Sequence, residues 1–198
     1  MHYSKRNAEE VEKLNPIVAD LVEKILIEAE AQGLDILITD GLRTNEEQTK
    51  LYNQGRTTKG KIVTKARAGQ SLHNYGLAID IVPIVNKSLA YGDYETYRTF
   101  ADIAKRYGFT WGGDWKGFKD TPHFEYTQGH DWQYFYNGGT LKAMEPELTD
   151  WQKRAQGVAM FKGWTNGERP LDTLTRVELW ETLRKFDQYL DNKFITKR

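Results

Sequence analysis

Ser71-Leu72-His73-Asn74-Tyr75-Gly76-Leu77-Ala78-Ile79-Asp80 sets a histidine and an aspartate on either side of a glycine. Leu77 to Val82 reads as a buried strand, because branched apolar residues dominate it and Pro83 closes it. Side chains alternate across a strand, so Leu77, Ile79 and Ile81 share one face while Ala78, Asp80 and Val82 share the other. Asp80 is then an ionisable group inside an apolar strand, a costly placement unless it is paired, hydrogen-bonded or bound to a metal. Gly76 lets the backbone turn between His73 and the strand. For these two residues alone, a surface histidine and an ion-paired aspartate are the default reading. A second element downstream turns the reading toward a metal.

The chain has 198 residues, enough for one good-sized domain or a domain with a small module. Lys+Arg 28 against Asp+Glu 28 leaves no net charge, which excludes the basic surplus of a nucleic-acid binder. Cysteine is absent, so disulfide and thiolate chemistry are excluded, and any metal must be held by carboxylates and the four histidines. No apolar run approaches the ~20 residues of a membrane helix. The polar N-terminus, with Lys5-Arg6 and Glu9-Glu10, has no hydrophobic signal core, and the expectation is a soluble protein made without a cleaved signal.

Asn7 and Glu10 have capping-box spacing, and Pro16 behind Asn15 marks a second helix start. Ile17, Leu21, Val22, Ile25, Leu26 and Ala29 then recur at helical spacing up to Gly33. Leu34 to Thr39 is a short strand. Thr44 and Glu47 cap another helix that ends at Gln54-Gly55. Arg43 sits at the strand-to-helix turn before it, as a substrate-binding cation or a solvated loop arginine. Residues 55–70 read as a long mobile loop of the kind that serves as a lid or binding loop. Asp93 caps a helix from Tyr94 to Tyr107, Gly108 ends it, and Phe109 to Trp111 is a short strand.

Asp120-Thr121-Pro122-His123-Phe124-Glu125-Tyr126 is the second informative stretch. Pro122 is compatible with the start or edge of a strand. Alternation puts His123 and Glu125 on one face and Phe124 and Tyr126 on the other. His73, Asp80 and His123 would supply three metal ligands and leave a fourth position for water, the pattern of a catalytic zinc site. Zinc lowers the pKa of its water toward ~7 and polarises a carbonyl. Asp120, beside His123 but offset from it, is placed to accept the water's proton and pass it to a leaving amine. Arg43 could neutralise the oxyanion or a substrate carboxylate. A two-histidine, one-carboxylate iron site is chemically open as well. His130 competes for the third ligand position but reads as a surface histidine.

These motifs resemble the zinc D-Ala-D-Ala carboxypeptidase and L-alanyl-D-glutamate peptidase superfamily. The likeness runs from about residue 10 to 127 and includes Asp40-Gly41-Leu42-Arg43-Thr44, Glu47-Gln48, Leu51-Tyr52 and Gln54-Gly55-Arg56-Thr57. It implies an α+β fold, an antiparallel sheet flanked by helices, with zinc on His73, Asp80 and His123. It also implies Asp120 as the base and substrate contacts from Arg43, Ser71 and Gln48. Members that cut D-Ala-D-Ala usually place Glu where this chain has Asp120, so the resemblance favours the branch that cuts between L-Ala and D-Glu of the peptidoglycan stem, as bacteriophage endolysins do. A D,D-carboxypeptidase or dipeptidase on the same scaffold, and a catalytically silent wall-binding protein, are the alternatives.

The expected division is a catalytic domain over residues 1–136, a linker over 137–149 and a cell-wall-binding module over 150–198. Trp151 to Phe161 and Arg176 to Phe186 read as helices. Gly163-Trp164-Thr165-Asn166-Gly167 with Thr175-Arg176-Val177-Glu178 is similar to a surface-layer-homology repeat, a type that binds secondary cell-wall polymers. The partners implied are the peptidoglycan stem peptide and such a polymer, with no nucleic acid and no membrane, at the bacterial cell wall.

Overall fold

The computed structural model describes residues 5–142; the helices and wall-binding module expected beyond them lie outside the described residues. The strand that follows Gly76 forms the middle of a five-stranded antiparallel sheet. In chain order the elements are α1 (Lys5–Val11), α2 (Pro16–Ala31), β1 (Ile36–Asp40), α3 (Asn45–Asn53), β2 (Ala78–Val85), β3 (Ser88–Leu89), α4 (Tyr94–Arg106), β4 (Thr110–Trp111), β5 (His123–Glu125) and α5 (Trp132–Tyr136). The sheet order is β1-β2-β5-β4, with β3 paired to β2. This is the expected α+β architecture, helices packed on an antiparallel sheet.

The alternation read from β2 holds. Leu77, Ile79 and Ile81 are buried in a core with Leu21, Val22 and Ile25 of α2 and Phe100 and Ile103 of α4. Each fully buried aliphatic side chain of this size contributes about 1.5–3 kcal/mol relative to exposure. Phe124 of β5 completes the layer, edge-on to Phe100 at 5.0 Å between ring centroids. Asp80 points to the opposite face.

Pro83 does not close β2, which runs on to Val85. The neighbouring amide of Ile84 bonds to Asp35 O on the β1 side, while Pro83 O accepts from Ala90 on the other side. The missing N–H of Pro83 therefore points away from β1, toward Ala90 beyond the end of β5, so the β1–β2 ladder loses no bond.

Asn15 caps α2 through Ile17 N, and Thr44 with Glu47 forms the full capping box of α3. Asp93 caps α4 through Thr96 N. Asn7 is not a cap. It lies inside α1, buried, donating to Ile36 O at 2.8 Å and accepting from Ile38 N at 2.9 Å, so it ties α1 to β1. A short polar side chain three residues before a glutamate has the same spacing in both roles, and only the strand beside it decides.

The expected mobile loop at 55–70 is tethered along its length. Gln54 Nε2 bonds to Lys61 O, Arg56 to Thr64 O, and Gln48 Nε2 to Ala66 O at 2.7 Å. Residues 137–142, expected as the start of a linker, are packed on the fold: Leu141 is buried in the core, and the Gln128 amide pairs with both N–H and C=O of Lys142. No helix among the described residues is long and apolar enough to cross a membrane.

Candidate metal centre

Sheet register assembles the site. Asp80 of β2 pairs with His123 of β5 on one side and with Asp40 of β1 on the other. Directly opposed residues of an antiparallel pair project to one face, so Asp80 and His123 meet there. His73 arrives from the single helical turn Leu72–Tyr75, which ends at Gly76 with φ +65°. A side chain at Gly76 would press against the backbone of Leu14 and Asn15, so glycine is required twice over, by conformation and by space.

His73 Nε2, Asp80 Oδ1 and His123 Nδ1 face one another. His73 Nε2 stands 3.2 Å from His123 Nδ1 and 3.4 Å from Asp80 Oδ1, and His123 Nδ1 stands 3.1 Å from Asp80 Oδ1. The outward nitrogens are both engaged. His73 Nδ1 lies 2.8 Å from Gly41 O, and a carbonyl can only accept, so that nitrogen carries the hydrogen and Nε2 carries the lone pair. His123 Nε2 donates to Glu125 Oε2 at 3.0 Å, and Thr110 Oγ1 donates to the other Glu125 oxygen at 3.3 Å. This pairing of the far ring nitrogen with a carbonyl or carboxylate is what orients metal-ligating histidines.

Charge follows the same design. Burial opposes ionisation of Asp80, yet hydrogen bonding to His123 and the closeness of His73 hold its carboxyl far below the usual range. Burial would push His123 down, but the Asp80 and Glu125 carboxylates outweigh it and raise the imidazole to about 9. Two carboxylates converging on buried imidazoles make a place for a cation. Two imidazole nitrogens and one carboxylate oxygen, with no thiolate, suit zinc. Among the described residues, His73, Asp80 and His123 are the group whose ligand atoms lie close enough to share a metal ion.

Asp120 lies outside that triad. Its backbone makes a tight turn, N–H to Gly112 O and C=O to His123 N. Burial pushes its carboxyl up, the Asp80 charge adds to this, and His123, His73 and Arg43 pull the other way. It therefore sits within the electrostatic reach of the cluster. Trp115 packs against His123 with ring centroids 5.2 Å apart.

Arg43 is no solvated loop arginine. Its side chain is 11% exposed, bonds twice to Asp40 Oδ2, donates to Gln48 Oε1 at 2.8 Å, and stands 3.8 Å from Asp80 Oδ2. Asp40 and Asp80 are like charges on adjacent strands, and the guanidinium lies against both. Gln48 is fully buried, its amide divided between Arg43 and Ala66. Ser71 stands half-buried before the His73 turn and makes no capping bond with its side chain. His130 is exposed and stacked on Tyr134, apart from the cluster. The sequence reading did not single out Asp40 or the Gly41 carbonyl. The Asp40–Arg43 spacing across a turn was the one signal for the first, and a backbone carbonyl carries none.

The sequence profile described as D-alanyl-D-alanine carboxypeptidase matches residues 64–126, which hold all three clustered side chains and Asp120. The chain is 46% identical over 121 residues to the peptidoglycan L-alanyl-D-glutamate endopeptidase CwlK of Bacillus subtilis, covering 57% of this chain and 72% of that protein. It is 29% identical over 163 residues to the L-alanyl-D-glutamate peptidase of Listeria phage A118, covering 81% of this chain and 55% of that protein. Among solved structures, the L-Ala D-Glu endopeptidase ChiX of Serratia marcescens aligns with a TM-score of 0.48 at 24% identity, over 63% of this chain and 89% of that one. With its histidine–aspartate–histidine cluster in place, the chain belongs to the D-alanyl-D-alanine carboxypeptidase family of metallopeptidases, which includes the peptidoglycan L-alanyl-D-glutamate endopeptidases.

Proposed function

We propose that this protein is a zinc-dependent endopeptidase that hydrolyses the L-Ala–D-Glu bond of the peptidoglycan stem peptide at the bacterial cell wall. The observation that carries the reading is the triad of inward-facing donor atoms on His73, Asp80 and His123, each histidine locked by its outer nitrogen. The relatives named for this bond, and the aspartate at position 120 in place of glutamate, support the choice of bond.

His73, Asp80 and His123 would hold the zinc ion, which when bound supplies a Lewis acid and a water acidified to near neutrality. Asp120 then acts as general base: its carboxylate takes a proton from the attacking water and returns it to the amine nitrogen as the peptide bond breaks. Burial raises its affinity for that proton, which suits a group that must hold it briefly. Arg43 and Gln48 are positioning residues, because their polar atoms are committed to Asp40, Ala66 and one another. Ser71, beside the cluster and free of a capping role, is the substrate contact we assign on this rim. Residues 150–198 are proposed as a module that holds a secondary wall polymer, on the repeat-like residues alone; the full chain and a chain ending at Lys142 should differ in pelleting with walls while cutting soluble peptide alike.

Mass spectrometry of digested peptidoglycan tests the reading. New L-Ala carboxyl and D-Glu amino termini support it. Release of D-alanine would establish the D,D-carboxypeptidase alternative. Full activity after thorough chelation, or no product in the presence of zinc, would remove the endopeptidase.

A further inference from the structure

From Gln48 to Ile79 the chain contains no Asp or Glu, yet residues 56–67 carry Arg56, Lys59, Lys61, Lys65 and Arg67, all exposed. In a protein of zero net charge this is a concentrated positive surface. It is also held in shape. Arg56 and Arg67 flank the Tyr52 ring, 4.1 and 5.3 Å from its centroid. Arg67 Nε bonds the Tyr52 hydroxyl, which leaves the terminal fork of that guanidinium for another partner. The segment joins the metal centre through one run of contacts: Ala66 O to Gln48, Gln48 to Arg43, and Arg43 to Asp40 beside Asp80. Ion pairs among the described residues pass over Lys59, Lys61 and Lys65. The fold does not use these lysines, and like charges so close repel one another, a cost that an anionic partner would relieve.

We propose that the cationic segment 56–67 docks the catalytic domain on a phosphodiester polymer linked to the bacterial wall and so presents the adjacent site to peptidoglycan. The inference rests on the proposed peptidoglycan substrate. Five cations spread over a pinned loop exceed what the one or two carboxylates near a scissile bond need. They match a polymer that repeats its negative charge along its length. The Arg67 fork and the lysine point charges are both suited to phosphate oxygens, while Arg56 is held by Tyr52 O and Thr64 O.

The test uses the full chain carrying Lys59→Gln, Lys61→Gln and Lys65→Gln together, with a Lys→Arg triple variant as the charge-preserving control. Binding is measured by pelleting with purified walls that carry their phosphodiester polymer and with the same walls stripped of it. Catalysis is measured on a soluble stem peptide. At low salt the Gln variant should bind intact walls about tenfold more weakly, roughly what three exposed charge contacts amount to. The gap should close near ~1 M salt, where the screening length is about 3 Å. The Arg variant should bind like the parent, all three proteins should bind stripped walls alike, and turnover of the soluble peptide should be unchanged. Equal binding of the Gln variant and the parent to intact walls would overturn the proposal. So would a deficit that persists on stripped walls, since the lysines would then be reading the peptide's carboxylates. Failure of the parent to cut the soluble peptide would instead count against the endopeptidase reading and leave the pelleting result standing.

Discussion

Asp120 and Glu125 are carboxylates on either side of His123, and their surroundings separate their roles. Glu125 is bonded to His123 Nε2 and Thr110, so its oxygens are occupied in orienting the His123 ring. Asp120 feels the cluster without sharing its donor triad. Asp120→Asn keeps the size and turn chemistry but cannot accept a proton. Its kcat should fall by roughly 10²–10⁴, with zinc content and melting temperature near the parent values. His123→Ala should lose zinc and activity together. Near-normal turnover by Asp120→Asn with zinc in place would eliminate it as the base. Glu125→Gln should weaken zinc affinity by about 10–100-fold, as read by competition with a chelator; unchanged affinity together with a collapse in kcat would make Glu125 the base instead.

At the level of elements, the turn at Gly112–Asp114 and the Asp120 turn lean on one another. Gly112 O accepts from both Trp115 N and Asp120 N. A Cβ built on Gly112 would overlap the Asp120 carbonyl oxygen and stand 3.1 Å from its Cβ. Gly112→Ala must therefore push Asp120 back and strain its bond to His123 N, whereas Asp80 and His123 stay paired between β2 and β5 and His73 stays on its turn. The expected result is a kcat loss of about 10-fold or more, since a displacement near 1 Å can cost about 10², with zinc still bound at parental stoichiometry. A parental kcat would show that the position of Asp120 is not critical. Elements elsewhere differ in how far local pattern reaches them. Thr44 with Glu47 announces a helix start because both partners of the box are local. The tethered loop at 55–70 was not legible as ordered, because its anchors are side chains of α3 and backbone carbonyls, which have no period.

Across the whole molecule, the helical layer behind the sheet is clasped at one edge by charge. Glu28 of α2 accepts from Arg106 and from Tyr107 Oη at 3.1 Å. The Arg106 hydrogen bond is the main reason that the Glu28 carboxyl lies below its ordinary value. A carboxyl with a lowered folded-state pKa stabilises the fold above its unfolded pKa, and that contribution disappears as pH falls through the lowered value. Glu28→Gln should therefore reduce the melting temperature slightly at neutral pH and flatten its acid limb, the two curves converging once the parent's carboxyl is protonated. Parallel curves down to the lowest pH at which both proteins fold would show that this clasp contributes nothing.

The three side chains that cluster, His73, Asp80 and His123, could be named from the chain alone. A buried strand must alternate, so Asp80 had to leave the core face, and the spacing in Pro122-His123-Phe124-Glu125 put His123 and Glu125 together. Those are consequences of backbone geometry within a few residues. Tertiary structure alone decided which strands are neighbours, hence that Asp80 opposes His123 and Asp40. It moved Asn7 from a helix cap to a buried tie and carried β2 through Pro83. It also drew Arg43 and Gln48 behind the cluster. Most of these depend on partners far along the chain, such as Asn7 on Ile38 and Arg43 on Asp80, where local pattern carries no information and burial together with hydrogen-bond satisfaction makes the choice.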